Sequence, residues 1–300
     1  MNLKEYIKKT KPKKLPMMRT VAFNKVLKGY RLAVYKEFQR EKVATLKFLK
    51  DNNILEKLEK ASREKFPEIW SDETEKIFSK KLSNEQLNFI NKYINGWDKN
   101  VRPEQMEKVF NKWNPIAADM GGDQALRSLG FSMAFHLKDP AMIKELGLRG
   151  TKITGGISEK TLKDFQKILV DSYYEVGVSP YEVRKRIKGM FEDTYKGRAM
   201  MIARTETAVA SSKTQFDTYK NNGIKKKRWL AIVDDRTRNS HEQVSGIVVE
   251  IDEYFMVGGN PMLHPHDSNA PPREVIACRC DMTAFFSKSQ LPEKENVWAG

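Results

Sequence analysis

From Val21 onward, apolar residues recur every third or fourth position: Phe23, Val26, Leu27, Tyr30, Val34 and Phe38, then Leu46, Leu49, Leu55 and Leu58. This spacing puts them on one face of a helix, and core packing is the ordinary use of such a stripe. Further helices are predicted over 72–81, 84–95 and 104–113. Ser83 with Gln86 makes a capping box for the second of these, and Pro103 suits the first turn of the third. Between 114 and 157 the pattern breaks. Gly121-Gly122, Pro140 and LGLRGTKITGG there predict short helices joined by loops.

Beyond Gly156 the signals sharpen. Ser158 is placed to cap a helix carrying Leu162, Phe165, Ile168, Leu169 and Tyr173 and ending near Gly177. Ser179-Pro180-Tyr181-Glu182 then supplies a capping box with proline at the first helical position, and a third helix over about 196–220 stops at Asn222-Gly223. After three lysines the texture becomes strand-like. RWLAIVDD, containing Trp229, reads as a strand, TRNSHEQVSG as a short helix or turn, and GIVVEIDEYF as a strand or hairpin arm. GGNPMLHPHDSNAPP reads as a loop and REVIACRCDMTAFF as a final strand. The expected fold class is therefore α+β: a mostly helical N-terminal region followed by a small module with a short β-sheet. The expected divisions are a flexible arm over 1–20, a helical region over 21–150, a module over 151–288 and a tail over 289–300. Within the module, 157–222 is a three-helix part and 226–286 is strand-bearing.

Charge changes the picture at one end. The chain has 300 residues and a net charge of +15. Residues 1–50 hold 15 Lys/Arg against 3 Glu, a net +12, which leaves only +3 for the remainder. Charge this localised suits phosphates or an acidic protein surface, although a charge run by itself is equally a solvated, solubilising face. Lys8, Lys9, Lys11, Lys13, Lys14 and Arg19 are the candidate DNA contacts, in a stretch that Pro12 and Pro16 keep extended. No apolar run approaches the ~18 residues of a membrane span, and the N-terminus lacks the apolar stretch of a signal peptide. Two cysteines are too few for a secreted disulfide framework.

An ordered set of short motifs carries a resemblance. IARTETAVA is followed by RW-x-A-x-x-DDRTRNSH, by Gly246, by a proline-rich loop and by E-V-I-x-CRC. Together they resemble the Mu F-like family of phage head morphogenesis, or minor head, proteins, over roughly residues 150–285. The resemblance implies a minor capsid component of the virion, in the head interior or at the portal vertex, made in the bacterial host cytoplasm. Its implied partners are the portal protein, major capsid or scaffolding proteins and double-stranded DNA, with no membrane.

The motif residues also admit a physical reading of their own. Arg204 and Glu206 flank Thr205 on a helix, within reach of the Asp234-Asp235 turn and of Arg236 or Arg238. A buried lattice of arginines and carboxylates, joined by Arg279, would tie the helices to the sheet. Such networks mimic active sites, so the lattice is preferred to catalysis. The competing assignment makes Asp235, Arg238 and His241 the acid, clamp and base of a metal-dependent enzyme acting on nucleic acid. The sequence contains no nucleophile elbow, phosphate-binding glycine loop or HExxH helix. A purely structural basic adaptor is a third reading.

Cys278 and Cys280, two apart in the expected strand, would share a face, with Arg279 opposite. Some members of the resembling family carry Cys-x-x-Cys and a histidine that complete a zinc set. Here Arg238 and His241 stand at the two cysteine positions and Val275 at the histidine position. His241, Cys278 and Cys280 alone are at least one ligand short of a closed zinc site, unless His264 or His266 folds back. The expectation is structural thiols and no cofactor, with zinc as the alternative. His136, in FSMAFHL, is expected to be a core or boundary histidine on a helix.

Overall fold

The stripe that begins at Val21 is carried by one helix, α1 (Val21–Asp51), in which Phe23, Leu27, Tyr30, Val34 and Phe38 are all buried. The computed structural model describes residues 20–65, 84–131, 135–175 and 178–286. The predicted arm (save Thr20), the predicted helix over 72–81 and the predicted tail lie outside the described residues. Asn53 takes a left-handed turn (φ 50°) into α2 (Ile54–Lys65). α3 (Asn84–Ile94) and the short α4 (Trp97–Val101) follow, the latter entered through Gly96 at φ 82°.

The stretch expected to be short helices and loops is instead two long helices, α5 (Glu104–Ser128) and α6 (Pro140–Val170). Pro115 lies inside α5, and LGLRGTKITGG lies inside α6, so Ser158 caps nothing. The glycines have different reasons to be there. A Cβ on Gly121 would fall 2.2 Å from the backbone oxygen of Ser211, so the chain passes too close for any side chain. Gly147, Gly155 and Gly156 meet nothing within 4 Å; they are tolerated without a packing role. His136 is exposed and lies outside any helix.

A π-helical turn (Asp171–Glu175) ends α6, and a second (Met190–Thr194) joins α7 (Pro180–Gly189) to α8 (Tyr195–Asn221). As predicted, Ser179 accepts the Glu182 N–H (3.4 Å) ahead of Pro180, and Gly223 (φ 72°) closes α8. After α8 come β1 (Lys226–Leu230), α9 (Asn239–Gln243), β2 (Val248–Glu250), β3 (Phe255–Val257), β4 (Asn260–Met262), α10 (Pro272–Val275) and β5 (Asp281–Phe285). The chain is α+β, mostly helical, with a small antiparallel sheet ordered β2-β1-β5. β3 and β4 form a separate hairpin whose two-residue turn, Gly258-Gly259, has positive φ at both positions.

By its internal contacts the chain divides into two units. One contains Met1–Tyr30, Lys112–Leu146 and Met201–Gly300; the other contains Arg31–Asn111 and Gly147–Met200. The boundary drawn from the sequence at 150/151 falls within α6. The second unit is all helix, and its core stacks Trp97 on Phe165 and packs Phe38 and Phe191 against Tyr195. Two of its buried polar side chains bridge helices: Trp97 Nε1 donates to Thr45 Oγ1 (3.0 Å) and the Tyr173 hydroxyl to the Leu55 carbonyl (3.1 Å).

The first unit holds the sheet. Alternation along β1 turns Lys227 and Trp229 inward. Lys227 has no exposed surface; its ammonium donates to the Ile251 carbonyl and lies over the rings of Phe216 and Phe255. Burial pulls its pKa down to about 8. Gln215 on α8 donates to the Met282 carbonyl of β5 (3.0 Å), fixing the sheet to the helix that leads into it. Trp229, Phe255, Val257, Met262, Val275, Cys278 and Cys280 share one apolar cluster with Val209 of α8. No helix among the described residues is long and apolar enough to cross a membrane.

Candidate functional site: a buried histidine–dithiol centre

Three local devices bring the chemistry together. Arg238, in extended conformation (φ −70°, ψ 139°), leads into α9 and sets His241 on its inner face, 2% exposed. α10, opened by Pro272, presents Glu274. The chain then leaves α10 through Ala277 in a left-handed conformation (φ 56°), stabilised where its N–H donates to Thr205 Oγ1 on α8 (3.1 Å). Cys278 and Cys280 thus lie in a loop ahead of β5, not in the strand. They still turn to the same side, and Arg279 still turns the other way.

His241 Nδ1 lies 3.2 Å from Cys280 Sγ and 3.4 Å from Cys278 Sγ. The ligand atoms of all three residues lie within 4.8 Å of one another. On the far side of the ring, His241 Nε2 is 3.0 Å from Glu274 Oε2, which also accepts from Ser240 Oγ (3.1 Å). Glu274 at Nε2 orients the ring so that Nδ1 faces both sulfurs. Gly258 makes room for this: a Cβ there would approach Glu274 Oε1 to 3.2 Å. The Cys280 N–H points at Cys278 Sγ (3.4 Å), and Trp229 meets His241 edge-on at 5.8 Å.

His266 joins the centre and His264 does not. His266, fully buried with a left-handed backbone (φ 63°), places Nε2 3.0 Å from the Cys280 carbonyl. Its Nδ1 is buried without a hydrogen-bond partner, while the ring adjoins the Cys278 thiol. His264 is held by the Pro265 carbonyl (2.8 Å) and packs on Phe216. Asp267 organises the loop, accepting the N–H groups of Leu263 and Asn269 at 2.9 Å each.

The thiols share their charge unequally. Burial raises the pKa of Cys278, yet Cys280, His266 and His241 together hold it well below the usual thiol range; Cys280 is driven upward by Cys278 and by burial. Burial opposes protonation of His266, but the charge of Cys278 outweighs it and raises the imidazole. His241 Nδ1 and the two thiols are three donors clustered within 4.8 Å, one short of the four that zinc takes in structural sites, and His266 stands beside them.

The expected lattice is arranged differently. Asp234, not Asp235, is the carboxylate that grips Arg279, in a two-pronged contact whose Nη1 arm is 2.6 Å. Asp234 also accepts the Arg236 N–H (3.0 Å), which shapes the turn. Asp235 is exposed. Arg238 donates to the Ile276 carbonyl (2.7 Å) and Glu206 is buried in α8, but the link from α8 to the cysteine loop is made by Thr205. Sequence reasoning missed Glu274, Asp234 and Thr205. Glu274, four residues before Cys278 and two after the second of a proline pair, was the one with a readable signal.

A long helix, three antiparallel strands, a hairpin and a buried imidazole–dithiol centre thus define a small α+β module. Residues 166–283 match the model of the family described as Phage Mu protein F like protein, so this segment of the chain is similar to a phage head-related family. Among curated proteins, NAD(+)–arginine ADP-ribosyltransferase EFV of Enterococcus faecalis is 35% identical over 108 residues, covering 35% of this chain and 22% of that protein. The chain therefore spans less than a quarter of the length of that relative. No solved structure matches the chain.

Proposed function

We propose that the protein is a minor component of a phage head that associates with the portal and with packaged DNA, acting in head assembly or DNA delivery. The match over 166–283 carries this reading, because it covers the whole centre built from Thr205, His241, Glu274, Cys278 and Cys280. The geometry supports an architectural role for that centre. His241, the expected general base, is buried and occupied at both ring nitrogens, and the expected acid Asp235 is exposed on the turn. Nucleic-acid cleavage is thereby disfavoured.

DNA association is assigned to the basic N-terminal segment. Deleting residues 1–20 removes six lysines and Arg19 against Glu5. The salt dependence of duplex binding should then flatten by several charges, since each phosphate contact contributes about −0.9 to the slope. An unchanged affinity and slope would remove the segment as a DNA contact. Portal association predicts that a tagged full chain retains the co-expressed portal protein after nuclease treatment, and loss of the portal on nuclease treatment would reduce the link to shared DNA.

Zinc is a further part of the proposal. His241, His266, Cys278 and Cys280 would hold it, and bound zinc would supply a cross-link between α9, the histidine loop and the cysteine loop. The buried, partnerless Nδ1 of His266 supports this reading over bare structural thiols. Arg238 does not oppose it as a fixed charge in the site would, because its guanidinium is drawn to the Ile276 carbonyl and its charge favours the Cys280 thiolate. Elemental analysis of protein expressed with zinc should give one equivalent, and a chelator should lower the melting temperature. Substoichiometric zinc with an unchanged midpoint would return the centre to structural thiols.

A further inference from the structure

We propose that the arginine-rimmed cleft above the histidine–dithiol centre is a binding site for a phosphate group. This goes beyond DNA association through the N-terminal segment, since it concerns different residues on the folded module. Arg236, Arg238 and Arg279 line the mouth of a narrow cleft whose floor is His241, Cys278 and Cys280. A fourth arginine, Arg204, stands on α8 close enough to feel the charges of Arg236 and Arg279.

The charges around this cleft do not cancel. Asp234 is engaged by Arg279 through both oxygens, and Arg236 reaches it only at 3.7 Å. Asp235 lies near enough to Arg279 to favour its charge. Arg238 uses one nitrogen on the Ile276 carbonyl. Arg204 is half-buried and makes no ion pair among the described residues. Four guanidiniums thus share the two carboxylates of the Asp234-Asp235 turn. Like charges gathered at partial burial are unfavourable unless an anion joins them. Planar guanidinium forks with free donors match the oxygens of a phosphate, which spreads up to two negative charges over several acceptors.

The phosphate has two sources, a nucleic-acid backbone and the free ion, and the experiment separates them. Thermal midpoints of the full chain are compared in sodium phosphate and in sodium chloride at equal ionic strength. Phosphate should raise the midpoint beyond chloride in the wild type, and the excess should vanish in R204Q/R236Q. Arg236→Gln alone changes a side chain that is 70% exposed, so it keeps the comparison valid if the double variant folds poorly; it should lose part of the excess. No phosphate excess in the wild type, or an excess retained in both variants, would overturn the site. Binding of a duplex oligonucleotide then identifies the source. A salt slope smaller by about one charge per arginine removed assigns the site to nucleic-acid phosphates, and an unchanged slope assigns it to free phosphate.

Discussion

Of two adjacent aspartates, only Asp234 makes the two-pronged contact with Arg279. The Asp234 carboxyl is held well below its usual range, first by the Arg279 guanidinium and against some desolvation, then by the Arg236 and Thr237 donors. A carboxylate whose folded pKa is depressed stabilises the fold above its unfolded pKa of about 4 and loses that contribution as pH falls through the folded value. Asp234→Ala should therefore lower the thermal midpoint at pH 7 and narrow the gap to wild type as pH falls below about 4. Asp235→Ala should leave the midpoint within error, as expected of an exposed side chain. Equal losses in the two variants would show that the turn as a whole, not the Asp234–Arg279 contact, carries the effect. The sequence made this region legible as a polar corner near CRC but could not choose between neighbours. DDRTR offers two carboxylates in succession, and the choice depends on the turn that Asp234 itself shapes. His266 was unreadable for a related reason: its ring reaches Cys278 only because its own backbone is left-handed.

At the scale of elements, hydrophobic periodicity and capping chemistry were legible where the pattern is strong. α1 follows from its stripe, α7 from Ser179-Pro180, the end of α8 from Asn222-Gly223, and β1 from its strand-like composition. Glycine misled the reading over 114–157. A glycine inside a helix is costly but not forbidden, and tertiary packing decides whether the helix continues. The structure separates two cases that look alike in sequence. Gly121→Ala should destabilise the chain by about 2 kcal/mol or more, because its Cβ has only backbone to meet and backbone yields little. Gly155→Ala, at an exposed helical position with no neighbour within 4 Å, should stabilise it by about 1 kcal/mol. Urea denaturation of both variants checks this pair, and a loss at Gly155 would mean that α6 is not continuous there. The cysteine loop is the complementary case. Cys-Arg-Cys alternates like a strand, yet it precedes β5 as a loop pinned by Thr205, 72 residues away in sequence.

For the whole molecule, the account joins a basic N-terminal segment, a helical unit and a unit whose polar chemistry is enclosed rather than offered to a substrate. The ordered set of motifs from IARTETAVA to CRC made the module's family legible in the sequence, while the partners of the full chain are not written in any local pattern. The proposed virion role rests on the match of residues 166–283 to a phage head-related family and on the excess positive charge. The most direct measurement is quantitative mass spectrometry of purified, nuclease-treated virions of the phage that encodes the chain, compared with the lysate from which they came. The account predicts that peptides of this protein co-purify with DNA-filled particles at a level well below that of the major capsid protein. Abundant protein in the lysate with none in the particles would contradict it.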